Sequence, residues 1–448
     1  MVVFSHLVQV QATPWLRLYF GDVQLSGSPS AGNGSFLRIT SQTDGGVQVL
    51  DSLALADWGN TSGYFNGEAV LIELLARAGT GANRVVVEKV VAGIQSELDD
   101  PLTSCGPTDD RVPSSDPRSA RIMPKGCTGF LFNQRPNCLL TAGHCYGADN
   151  LQVVQFNVPE SYPDGTIRNP PLEDQYPVDR RSVQFQYLHD PDHYPGNDWC
   201  VFGTINNDIT GRSPLQAQGA SYRLATSVPT ADGSTLRMTG YGIDSSPLRY
   251  NRTQQTDAGP YEEKEVSQFK TIVKYFIDTD GGNSGSAVEH IASGLVYAIH
   301  THGCLANGEI ARGTPIDHPG LQSALACPVV FNVCTDCNGN GILDQCDLNC
   351  ASPCGGCNVP RCSTQVVVRF AHLGRRAASI GRSHTYVVGR SRWFAGQVGL
   401  CAFDSRSRPI APPVGQSHPT KVVRPEGRTV GQPSRPLSIP PVQTRLHS

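Results

Sequence analysis

Residues 279–286 read Thr-Asp-Gly-Gly-Asn-Ser-Gly-Ser, a serine set among glycines. Small neighbours let an acyl carbonyl approach Ser284, and the backbone N–H groups of Gly282 and Ser284 can stabilise the oxyanion that forms on attack. Gly-Asn-Ser-Gly also makes ordinary turns, so the motif alone leaves both readings open. A hydroxyl nucleophile needs a base. Leu139-Leu140-Thr141-Ala142-Gly143-His144-Cys145 offers His144 at the end of an apolar, strand-like run. The base in turn needs a buried carboxylate to fix its tautomer and stabilise the imidazolium, and Asp198 leads into the apolar run Trp199-Cys200-Val201-Phe202. The plain alternatives are a strand-end histidine, a capping aspartate and a turn serine. As an ordered trio, His144, Asp198 and Ser284 are the candidate catalytic set.

The order His, Asp, Ser is the one used by chymotrypsin-type double barrels; subtilisin-like and α/β-hydrolase enzymes order the three differently. Thr-Ala-Gly-His-Cys followed by Gly-Gly-Asn-Ser-Gly-Ser-Ala resembles the trypsin-like serine peptidases over roughly residues 111 to 328. Asn283 before the serine is similar to the bacterial V8-like, glutamyl endopeptidase branch. The resemblance implies an all-β catalytic domain of two packed antiparallel barrels, a serine endopeptidase activity on protein or peptide substrates, and no cofactor for catalysis. It also implies a disulfide pinning the His144 segment, which would join Cys127 to Cys145, with Cys138 between them as a rival partner.

Two segments bear on substrate choice. Asp278 occupies the place where trypsin holds its basic-selecting aspartate, which would favour Arg or Lys before the scissile bond. Thr279 and His300, in the run His300-Thr301-His302, match the threonine and histidine that V8-like enzymes present to a glutamate side chain. A buried carboxylate substrate needs compensating donors, which His300 and Thr279 can supply, and an inward-facing Asp278 would oppose it. The preferred expectation is Glu before the scissile bond, which requires Asp278 to turn away; basic specificity is the alternative.

The elements that must hold these residues are short strands. Gly and Pro together number 79 of 448 residues, hydrophobic residues are 39% and charged residues 17%, with a net charge of −3. No apolar run approaches the ~18 residues needed to cross a membrane. Nor does the overall charge argue for nucleic acid as a partner. The length suggests two to four domains. Fifteen cysteines argue for an oxidising compartment, hence a secreted protein, expected to be monomeric.

Residues 1–12 read as a signal-peptide remnant or an ordinary first strand. Residues 13–100 alternate apolar and polar residues between Gly, Asn and Asp turns, the pattern of a small β-sandwich that is either a pro-region or a binding module. A polar, Pro-rich connector at 101–111 is where a zymogen would be cut, near Arg111-Val112. In trypsin the new N-terminus pairs with an aspartate before the serine; the uncharged Asn283 stands there instead, which puts that form of switch in doubt. The peptidase domain is expected over 112–330.

A Cys-rich module at 331–362 follows. Asp336, Asn338, Asn340, Asp344 and Asp347 place oxygen ligands at loop positions one, three, five, nine and twelve, with Gly341 at six and the Ile342 carbonyl at seven. That resembles the calcium loop of dockerins and related EF-hand-like repeats, although a single loop stands where a dockerin has two. The alternative is a turn closed by a Cys337–Cys346 bridge. Cys350, Cys354, Cys357 and Cys362 have spacing open to a zinc site, with disulfides the preferred reading. From 363 to 448 twelve Arg and one Lys stand against Asp404 and Glu426. This tail reads as a disordered extension, or as an arm for anionic polymer. The rival to the whole peptidase reading is a non-catalytic adhesion or matrix protein on a peptidase scaffold. A peptidase that cleaves only its own chain is a further alternative.

Overall fold

Burial along the strands follows the sequence alternation: in Phe36–Ser41 and Ala69–Leu75 every second side chain is buried. The computed structural model describes residues 1–93, 104–147, 150–187, 196–230, 232–267, 270–304 and 310–326, all within one compact unit, Met1–Val367. The 336–347 loop, the cysteines at 350–362 and the basic tail lie outside the described residues.

The first seven strands, β1 (Val2–Gln9), β2 (Trp15–Phe20), β3 (Phe36–Ser41), β4 (Val47–Leu50), β5 (Phe65–Asn66), β6 (Ala69–Leu75) and β7 (Val87–Ala92), make two sheets ordered β1-β6-β3-β4 and β5-β2-β7. A single-turn helix α1 (Ser52–Asp57) is capped by Asp51, whose carboxylate accepts the N–H groups of Leu53 and Ala54. Val2–Gln9, one of whose readings was a signal-peptide remnant, is the antiparallel partner of β6. Leu18 and Phe20 from one sheet and Leu37, Ile39, Val70 and Ile72 from the other share a buried core, which continues into Met123, Val153 and Leu172 beyond the sandwich.

The connector is anchored at both ends of its described part. Of residues 101–111, the described part from 104 is tied down: Cys105 is bridged to Cys304, and the Cys105 and Asp110 N–H groups bond to Asp278. Arg111, beside the expected processing site, is buried, and the next strand, β8 (Val112–Pro113), pairs with Gln255 and Thr256.

The next six strands, β9 (Ser119–Pro124), β10 (Cys127–Leu131), β11 (Cys138–Thr141), β12 (Leu151–Gln155), β13 (Gln175–Tyr187) and β14 (Asp198–Thr204), close into a barrel in the order β10-β11-β14-β13-β12-β9. A short helix α2 (Pro214–Gln218) with a Ser213 capping box precedes the second barrel. There β15 (Arg223–Leu224) adds to a ring of β16 (Thr235–Gly240), β17 (Gln255–Val266), β18 (Thr271–Tyr275), β19 (Ala287–His290), β20 (Leu295–His302) and β21 (Ala311–Pro315). The pairing of β20 with β21 returns this sheet on itself. Helix α3 (Pro319–Ala326) buries Leu321 in the first barrel's core. Closure leaves few exposed edges and gives two rigid bodies, the chymotrypsin-like arrangement, whose connecting loops can carry chemistry.

Candidate active site

His144 sits in a 3₁₀ turn, Gly143–Cys145, at the end of β11. Gly143 is required by close approach: a Cβ there would strike the Gln186 carbonyl and come within 3.0 Å of Asp198 Oδ1. That gap lets Asp198, fully buried at the head of β14, hold the histidine at two points. Oδ1 accepts the His144 backbone N–H at 2.8 Å, and Oδ2 lies 2.6 Å from Nδ1. Asp198 is itself fixed by Thr314, whose hydroxyl donates to the Asp198 carbonyl at 2.8 Å. The other ring nitrogen, Nε2, is thereby left as the basic one. The Cys127–Cys145 disulfide fastens the turn as expected; Cys138 is disulfide-bonded elsewhere.

Ser284 lies between Gly282 (φ 106°) and Gly285 (φ 90°), both left-handed positions that glycine occupies without strain. Gly285 also leaves no room for a side chain against Thr128, Thr141 and Ala142. The Ser284 carbonyl accepts the Thr128 N–H at 2.9 Å and lies 3.7 Å from the Cys145 sulfur, so the serine turn rests against the histidine turn. Within the turn the N–H groups of Gly281, Asn283, Gly285 and Ser286 are all bonded, to Asp280 Oδ1, Asp280 O, His300 O and Asn283 O. Those of Gly282 and Ser284 have no acceptor among the described residues, the state required of oxyanion donors.

Asp278 is bound to the connector. Its carboxylate accepts the Cys105 N–H at 2.6 Å and the Asp110 N–H at 2.7 Å. His300 is buried on β20 with Nδ1 2.7 Å from the Tyr275 hydroxyl. Burial, then the nearby His302 and His144, push the His300 pKa down to about 3, and burial raises that of Tyr275 well above its ordinary value. At neutral pH the pair is therefore uncharged; in the tautomer where Tyr275 donates to Nδ1, the His300 proton sits on Nε2. Thr279 is buried beside Asp278. Thr301 is engaged elsewhere, donating to the Arg312 carbonyl and bonded to His302 Nδ1, and the His302 ring stands 6.3 Å from that of His144.

Tyr275, Thr314 and the Cys105–Cys304 bridge escaped the sequence reading. Each acts on a residue 25, 116 or 199 positions away, with no local motif to mark it. A grouping of metal-ligand types among the described residues, Cys127, His144 and Cys145, has both sulfurs committed to the disulfide.

The trypsin family model matches residues 108–318. No curated protein matches the chain. Among solved structures, a Glu endopeptidase in complex with MPD is similar at 22% identity and a TM-score of 0.36, covering 49% of this chain and 96% of that one. A thermostable serine protease, AL20, from an extremophilic microorganism is similar at 13% identity and 0.37, covering 47% and 96%. A structure of HBP is similar at 14% identity and 0.37, covering 50% and 98%. Two closed barrels with a buried aspartate on the histidine, in the segment the family model covers, make residues 108–318 a trypsin-like serine peptidase domain and the protein a serine endopeptidase.

Proposed function

We propose that the protein is a secreted endopeptidase that cleaves after glutamate using Ser284, His144 and Asp198. His144 Nε2 takes the Ser284 proton as Oγ bonds to the substrate carbonyl carbon. The carbonyl oxygen becomes the oxyanion, held by the Gly282 and Ser284 N–H groups. Asp198 keeps Nδ1 protonated and balances the imidazolium. His144 then returns its proton to the departing amine as the C–N bond breaks, leaving an acyl-serine. A water, deprotonated by the same nitrogen, attacks that ester and releases the new carboxyl terminus. None of these steps calls on a metal.

The observation that carries the catalytic assignment is the double hold of Asp198 on His144, which fixes both ring position and tautomer. The preference for glutamate is supported by Asp278, whose two oxygens are occupied by backbone N–H groups and so are withdrawn from a cationic substrate. A glutamate side chain would meet the His300 Nε2–H, and its charge would favour protonation of His300 on binding. Secretion is supported by the disulfides. Calcium in the 336–347 loop is proposed from the ligand spacing there.

A peptide-library digest with the purified full chain, run alongside fluorophosphonate labelling, tests the reading. Labelling of Ser284 with cleavage after Glu is expected. Cleavage after Arg or Lys would overturn the specificity, and absence of labelling would overturn the catalytic assignment in favour of a non-catalytic scaffold.

A further inference from the structure

We propose that Arg111 is a built-in cation that positions the oxyanion turn, so that the catalytic domain works with the Arg111–Val112 bond intact. This rests on Gly282 and Ser284 being the oxyanion donors.

The residue before the serine is the uncharged Asn283, and the guanidinium of Arg111 reaches the same region from the uncut chain. Its side chain is 2% exposed. Nε and Nη2 fork onto the Asp109 carboxylate, the Nη2 contact being 2.6 Å. Nη2 also donates to the Ile243 carbonyl at 2.8 Å and lies 3.9 Å from Asp280 Oδ2. Both contacts lead into the turn. Asp280 accepts the Gly281 N–H on its side chain and the Asn283 N–H on its carbonyl, and Ile243 N–H donates to the Gly281 carbonyl at 2.8 Å. The peptide planes on either side of the Gly282 N–H are thus set from one cation.

Three buried polar atoms nearby lack partners: Arg111 Nη1, Asn283 Nδ2 and Ser286 Oγ. They lie around Gly240 and Gly242. A Cβ built on Gly242 would collide with Arg111 Nη1 and stand 2.7 Å from Asn283 Nδ2; one built on Gly240 would collide with Ser286 Oγ and stand 2.7 Å from Asn283 Oδ1. A half-turn of the Asn283 amide exchanges its oxygen and nitrogen without moving another atom. Oδ1 is then on the Arg111 Nη1 side and Nδ2 on the Ser286 Oγ side, so one rotation turns an acceptor towards the cation and a donor towards the hydroxyl. Asn283 can accept from a cation held beside it, whereas the side chains of Gly240 and Gly242 are absent because that space is taken. Burial disfavours the Arg111 charge, but hydrogen bonding to Asp109 and the charges of Asp109, Asp280 and Asp244 outweigh it and raise the pKa, so the cation persists at every working pH.

The test uses the full-length chain, with intact mass and N-terminal sequence read on material that turns over a peptide substrate. Active protein still joined across Arg111–Val112 is expected. R111M should lower kcat about 100-fold with KM within about threefold, the mark of lost transition-state binding, and R111K should recover about tenfold of that loss. N283L, which breaks the link from the other side, should show the same kcat loss, and it serves as the test should R111M fail to fold. Activity confined to material beginning at Val112, or wild-type kcat in folded R111M or N283L, overturns the inference. Failure of the wild-type chain to label with a fluorophosphonate overturns the active-site assignment itself and this inference with it. Labelling of R111M as fast as wild type overturns the inference alone.

Discussion

The carboxylate of Asp278 accepts the backbone N–H of Cys105 at 2.6 Å, across 173 residues of chain. A residue at the position that selects basic substrates in trypsin is here a fastening for the connector. Asp278→Ala should leave the buried Cys105 N–H without its acceptor and release the Asp110 N–H, at a cost of about 1–3 kcal/mol, measured by urea unfolding. The cleavage preference in a peptide library should stay on glutamate; a loss of Arg or Lys cleavage in this variant would show that Asp278 faces the substrate after all.

Asp198 contributes its two oxygens to one histidine. Asp198→Asn would present an amide N–H where Nδ1–H now donates, favouring the wrong tautomer, and kcat is expected to fall about 10⁴-fold. Steady-state kinetics on a glutamyl peptide check this. The change should leave KM within a few-fold, since no substrate contact is removed.

His300 should shape the acid limb of stability. Its pKa is about 3 folded against an ordinary 6.5, so the unfolded chain binds the extra proton between those values. Stability from this group is therefore complete above about pH 6.5 and is lost as pH falls towards 3, on the order of several kcal/mol in full. His300→Leu should flatten the urea midpoint across that window. The same variant should lose most cleavage after glutamate; unchanged cleavage would remove His300 from substrate recognition.

The Cys105–Cys304 bridge closes a span of 199 residues and anchors the segment bonded to Asp278. Cys105→Ser with Cys304→Ser should lower stability by about 2–5 kcal/mol. Limited proteolysis should then cut the 104–111 segment faster than in the wild type.

The three candidate catalytic residues stood out because each sits in a short local pattern: an apolar strand ending in Gly-His-Cys, an aspartate opening another, a serine among glycines. Period-two burial made the strands of the sandwich legible in the same way. What the sequence withheld is non-local. Nothing near Tyr275 says that its hydroxyl meets His300, and nothing in Asp109-Asp110-Arg111 says that the arginine of this charged, turn-like stretch is buried near Asp280 of the serine loop. Thr301 was expected among the substrate contacts beside His300, yet β-strand alternation sends neighbouring side chains to opposite faces, and its hydroxyl bonds β21 instead.

Arg17 of the front sandwich, 2% exposed, reaches across to Gln152 of the first barrel at 2.6 Å, while the Tyr64 backbone donates to Gln175 and Asn66 bonds Asn169. The sandwich thus behaves as a keel to the enzyme more than as a wrapper to be discarded. Recombinant protein started at residue 104 would uncover Met123, Val153 and Leu172 and strand Gln152, Gln175 and Asn169, so it should come out of cells aggregated where the full chain stays dispersed.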